Sequence, residues 1–83
     1  MIENELSGKV IDLCLRIHSK YGPGLLESVY EEIFCYEWTK TNIPFVRQHS
    51  IPLVHETIKL EAGFRADAIL DNKVIIEIKV LRL

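Results

Sequence analysis

Long hydrophobic runs are missing from this sequence: no stretch of its 83 residues approaches the roughly 20 consecutive apolar residues that a bilayer-spanning helix needs, so no membrane span is expected. A surplus of positive charge is missing too. The formal net charge is -2, and the chain as a whole offers no cationic field to a polyanion. Cysteine is scarce. Cys14 and Cys35 sit in helix-like stretches without metal-ligand spacing, which argues against zinc. Both read as small buried or half-buried hydrophobes, with a reducing cytoplasm as the expected location. The N-terminus is Ile-Glu-Asn-Glu, not basic and then apolar, so no secretory leader is expected. With three prolines and four glycines there is no linker, repeat or low-complexity tract.

What is present is an ordinary globular balance, 48% hydrophobic and 27% charged. The length suits a single domain spanning 1–83. A chain this short buries only about 60–65% of its unfolded surface, so its core is thin. The charge is uneven. Residues 1–37 hold three Lys/Arg against seven Asp/Glu, and residues 38–83 hold seven against five. The C-terminal half is the better candidate to meet phosphate, although such unevenness also arises from solvated faces.

Residues 5–20 read as a helix, because Leu6, Val10, Leu13 and Ile17 step around one face. Asn4 is a candidate N-cap, and Glu5 suits the positive end of the helix dipole. Tyr21-Gly22-Pro23-Gly24 stops this helix. A second helix is expected over 25–41, with Leu26, Val29, Tyr30, Ile33 and Phe34 inward. Beyond Pro44 the period changes to two. Strands are expected over 45–54, 58–60, 64–70 and 74–80, with Pro52 marking an edge or bulge. The order is helix, helix, strands.

The last hairpin carries the chemistry. If 71–73 is a three-residue loop, Leu70 faces Val74, and counting outward sets Asp67 opposite Glu77 and Arg65 opposite Lys79. Side chains alternate along a strand, so these four share one face, while Phe64, Ala66, Ala68, Leu70, Val74, Ile76 and Ile78 make an apolar one. Opposed carboxylates repel. Either Arg65 and Lys79 neutralise them in a surface charge ladder, or a divalent cation does. Apolar residues crowd both faces, which predicts a helix over each and favours a purpose for the charges. His18, His49 and His55 share no spacing and are expected at the surface or core edge.

Asp67 followed by Glu77-Ile78-Lys79 resembles the D…(D/E)xK signature of the PD-(D/E)XK nuclease superfamily. Gly24-Leu25-Leu26-Glu27-Ser28-Val29-Tyr30 is similar to the motif of its GxxExxY proteins. Arg47-Gln48, Phe64-Arg65-Ala66-Asp67 and Val74 to Lys79 extend the likeness along nearly the whole chain. The resemblance implies an α/β nuclease-like core in which helices pack on a mixed sheet. It implies Mg2+ or Mn2+ held by Asp67, Glu77 and Glu27, and Lys79 as catalytic lysine. Phosphodiester hydrolysis in DNA or RNA would follow, with Arg65 and Gln48 toward the substrate. Glu37 is a rival acid, expected to be hydrogen-bonded and structural. Tyr30 is expected in the core with its hydroxyl satisfied.

Members of that family usually continue past the lysine with further strands and a helix. Without them the last strand presents an open edge, which predicts a homodimer or higher oligomer through the C-terminal strand. The alternative function is a catalytically inactive module that binds nucleic acid or protein, or a structural oligomer.

Overall fold

The computed structural model describes residues 2–79, and at 61–64 the backbone alone. Helix α1 runs from Glu3 to Tyr21 and buries Leu6, Leu13 and Ile17, with Val10 packed beside them. Its N-cap is Ile2, without a side-chain capping bond. Asn4 lies inside the first turn instead, where Glu3 and Glu5 meet the positive end of the dipole. Gly22 closes the helix at φ 72°, a left-handed conformation that a residue without Cβ adopts freely, and its N–H bonds the His18 carbonyl. A 3-10 turn follows at Gly22–Gly24.

Helix α2 spans Glu27–Thr39 and ends when the Thr39 and Thr41 hydroxyls donate to the Cys35 and Trp38 carbonyls. Its inner face is rotated from the expected one. Phe34, Cys35, Trp38 and Glu31 are buried, while Leu26 and Val29 stay exposed. Leu26 is the N-cap, outside the helix, so it cannot share a helical stripe. Phe34 and Trp38 stack with ring centroids 5.8 Å apart and planes 10° from parallel. Glu37 is half-buried and paired to Lys40 at 3.1 Å. Tyr30 donates its hydroxyl hydrogen to the Cys14 carbonyl at 3.1 Å.

Three strands follow: β1 (Phe45–His55), β2 (Ile58–Leu70) and β3 (Val74–Ile76). They pair in the order β1-β2-β3, and both pairings are antiparallel, where a mixed sheet was expected. The segments at 58–60 and 64–70 fuse into β2 because one ladder with β1 runs along both. The register slips between Ile51 and Leu53, at Pro52, on the edge strand, where the missing N–H costs no ladder bond. The 71–73 loop holds Asp71 and Asn72 at positive φ, which these residue types tolerate. Leu70 faces Val74 as counted from the sequence, and Ile69–Ile75 and Ala68–Ile76 follow.

The alternation puts Ala68 and Leu70 into one cluster with Leu6, Leu13, Ile17, Phe34, Cys35 and Trp38. The short side chain of Ala68 leaves room for the stacked rings of α2. Both helices therefore lie on this face. Val46 and Ile75 on the other face are exposed, so among the described residues a helix covers only one side. The far end of the β1–β2 hairpin, with Leu53, Val54, Ile58 and Leu60 exposed, reaches beyond the helices. The Val80 end of the expected last strand lies outside the described residues.

Candidate functional site

β3 pairs with β2 only along 68–70, so beyond Ala68 the flank of β2 loses its neighbour and a notch opens there. Asp67 sits in this notch, half-buried, and its Oδ2 accepts the backbone N–H of Ile78 at 2.6 Å. Across β1, Arg47 pairs with Ala68 and His49 with Ala66, which sets Gln48 directly opposite Asp67. Gln48 has φ 48°, a left-handed value that interrupts the regular pleat. The interruption lets Arg47 and Gln48, adjacent in sequence, both reach α2. Gln48 Nε2 donates to Glu31 Oε2 at 3.1 Å, and Arg47 Nη2 donates to the same oxygen at 2.8 Å. Arg47 Nη2 also reaches Glu32 Oε1 at 2.7 Å.

A cleft of about 170 Å³ lies here, lined by Glu27, Ser28, Glu31, Gln48, Arg65, Asp67 and Ile78. Four of the residues singled out in the sequence thus meet: Glu27 from the first turn of α2, Gln48 from β1, and Arg65 and Asp67 from β2. The other two stand next door. Glu77 and Lys79 line a larger hollow of about 630 Å³ between α1, the 3-10 turn and the chain after β3, together with Cys14, His18 and Tyr30. Their side chains are 65% and 74% exposed and pair with each other at 3.5 Å. Ile78 is common to both hollows. Asp67 and Glu77 are therefore not opposed as the extended register required, because β3 ends at Ile76.

The sequence reading gave no role to two residues. Glu31 is 7% exposed, the one buried charged side chain among the described residues, and Arg47 is its counter-ion. The signal was available. Glu31 follows Glu27 at the i,i+4 spacing that puts both on one helix face, and Arg47 adjoins Gln48. Electrostatics follow from the cluster: the Glu32 and Glu31 carboxylates raise the Arg47 pKa. In return the Arg47 hydrogen bond holds the Glu32 carboxyl below its ordinary value.

The donors in the cleft are oxygens, the chemistry that Mg2+ and Mn2+ prefer. Among the described residues no three His, Cys, Asp or Glu side chains gather closely enough to hold a metal. Magnesium, however, commonly takes only one or two carboxylates and fills its remaining positions with water and phosphate oxygens. Asp67 and Glu27 are two carboxylates among the residues that line the cleft.

A family model of the PD-(D/E)XK nuclease superfamily matches residues 4–83. The chain belongs to the PD-(D/E)XK nuclease superfamily. Its two helices and antiparallel sheet are consistent with the core of that superfamily, whose nucleases generally use divalent metals. No curated protein and no solved structure matches the chain. No helix among the described residues is long and apolar enough to cross a membrane.

Proposed function

We propose that this superfamily member hydrolyses phosphodiester bonds of DNA or RNA with Mg2+ or Mn2+ at the Asp67 cleft. The observation that carries the reading is the meeting of Glu27, Gln48, Arg65 and Asp67, drawn from three elements, beside the Glu77-Ile78-Lys79 segment. Asp67 and Glu27 would hold the ion. When bound, the ion supplies Lewis-acid polarisation of the phosphoryl group and a more acidic water. Arg65, exposed at the rim, presents a fork of donors suited to phosphate oxygens.

Glu77 and Lys79 join by extension of β3. Carried one step past Ala68–Ile76, the ladder sets Glu77 across from Asp67, and two further steps bring Lys79 across from Arg65. The extension exchanges the Ile78 N–H bond on Asp67 Oδ2 for ladder bonds and releases that oxygen. Glu77 then adds a third carboxylate, and the Lys79 ammonium stabilises charge developing on the phosphoryl oxygens. A homodimer or higher oligomer through the β3 edge would support the same extension, and light scattering giving a monomer at working concentration would remove that support.

Plasmid nicking with Mn2+ tests the assignment. Asp67→Ala and Lys79→Ala are each expected to lower the rate by about 10²-fold or more. Equal nicking by all three proteins would show that the activity belongs elsewhere. A second reading, an inactive module that binds nucleic acid or protein, is favoured by the Glu77–Lys79 pair standing outside the cleft. Calorimetry separates the two, because an inactive module of this kind gives no Mn2+ heat.

A further inference from the structure

The buried side of the Asp67 cleft is organised around one oxygen. Glu31 Oε2 accepts both Arg47 Nη2 and Gln48 Nε2. A carboxylate only accepts hydrogen bonds, so the nitrogen end of the Gln48 amide is the end turned toward it. The carbonyl end, Oε1, is then the end turned away from Glu31, and Gln48 lines the cleft with Asp67 and Glu27. Gln48 also stands directly across the ladder from Asp67 and holds a left-handed φ of 48°, a conformation that costs a non-glycine residue energy. The Arg47–Glu31 pair supplies an anchor for that conformation from the neighbouring helix.

We infer that Glu31 is a positioning residue that fixes the Gln48 amide so that its carbonyl oxygen, not its NH2 group, is offered beside Asp67 as a further oxygen ligand for the divalent ion. This rests on the metal-dependent reading of the cleft. It differs from a purely structural role for Glu31 in one respect: the polarity of the Glu31–Gln48 bond matters, and not only its existence. In Glu31→Gln the partner both donates and accepts, so the Gln48 amide is free to turn over and present NH2 to a cation. The exchange E31Q/Q48E restores a single polarity, with Gln at 31 donating to Glu at 48, and again leaves an oxygen for the cleft. Gln48→Leu removes the oxygen and leaves the Arg47–Glu31 pair in place.

The test uses the full chain labelled with 15N. The side-chain amide signals of Gln48 are followed as Mn2+ is added, with thermal unfolding recorded for every variant. In the wild type, paramagnetic broadening of the Gln48 amide is expected early in the titration. Glu31→Gln and Gln48→Leu are expected to weaken Mn2+ binding about ten- to a hundredfold, the range seen when the partner of a metal ligand is removed. E31Q/Q48E is expected to recover wild-type affinity even though it also loses the Arg47–Glu31 ion pair and melts lower. Wild-type affinity in Glu31→Gln, or no recovery in a folded E31Q/Q48E, overturns this inference and leaves the nuclease reading standing. Absence of any Mn2+ effect on the wild type overturns both.

Discussion

Replacing Arg47 by Met measures how much the buried carboxylate of Glu31 depends on its counter-ion. The methionine keeps most of the stem and removes the guanidinium. Glu31, 7% exposed, is then left with one neutral donor, the Gln48 amide at 3.1 Å. Stranding one member of a buried pair typically costs about 3–5 kcal/mol. The Arg47 side chain is 34% exposed, so water already screens part of the attraction, and a cost of about 2 kcal/mol is the better expectation. For a domain of this size that corresponds to a drop in Tm of roughly 8–15 °C. Urea unfolding at neutral pH, with the slope m checked for constancy, reads it directly. Two controls sharpen the test. Glu32→Gln removes the exposed partner of the same guanidinium and is expected to leave the midpoint unchanged. The pair Glu31→Leu with Arg47→Met removes both charges and is expected to recover most of the loss, since apolar replacement of a buried ion pair is often neutral or better. A Arg47→Met midpoint no lower than that of Glu32→Gln would refute the view that Glu31 is held as a buried anion.

The Tyr30 hydroxyl is pushed up to about 12, by burial first and then by Cys14. Folding favours its neutral form, so its contribution is fully present below pH 10 and is lost as pH rises from 10 through about 12. Tyr30→Phe should cost about 1 kcal/mol at neutral pH and flatten the alkaline limb of the stability curve between those values. Leu6→Ala and Leu70→Ala each empty a fully buried position and should cost about 2–5 kcal/mol in denaturant midpoints. Gly22→Ala meets no steric obstacle but must hold φ 72°, so a loss of about 1 kcal/mol is expected from backbone strain alone, visible in Tm.

Much of this architecture was legible because local periodicity decides it. The stripe Leu6, Val10, Leu13 and Ile17 could only be one face of a helix, and the length of the 71–73 loop sets the register of the final hairpin. The readings that shifted depend on partners distant in sequence. The inner face of α2 turned because the helix begins at Glu27, which leaves Leu26 outside it. Glu31 was missed because an acid is normally a surface residue, and what permits its burial is an arginine on another strand. The end of β3 was equally hidden. Apolar alternation continues through Ile78, but an alternating pattern specifies a face and not the length of a ladder. Here the ladder stops where the Asp67 carboxylate takes the Ile78 N–H.

That stopping point bears on the chemistry. Like charges directly opposite on neighbouring strands are unfavourable, and a fully extended β3 would place the Glu77 carboxylate across from that of Asp67. The chain avoids the conflict twice over. It ends the pairing one residue short, and it gives each acid a different donor: the Ile78 amide for Asp67 and the Lys79 ammonium for Glu77. Both donors belong to the same short segment. Moving that segment into the sheet takes the Ile78 N–H from Asp67 and brings the Glu77 carboxylate toward it. Positive charge carried into the notch offsets the resulting repulsion between the two acids. On the proposed reading, a divalent cation would do so with one bound species and would leave Lys79 to meet phosphate. On this account the affinity of the cleft for the cation and the completion of the sheet are one equilibrium. Proline at Ile78 would then be informative, since it removes the N–H that bonds Asp67 and also the means of pairing in an extended β3.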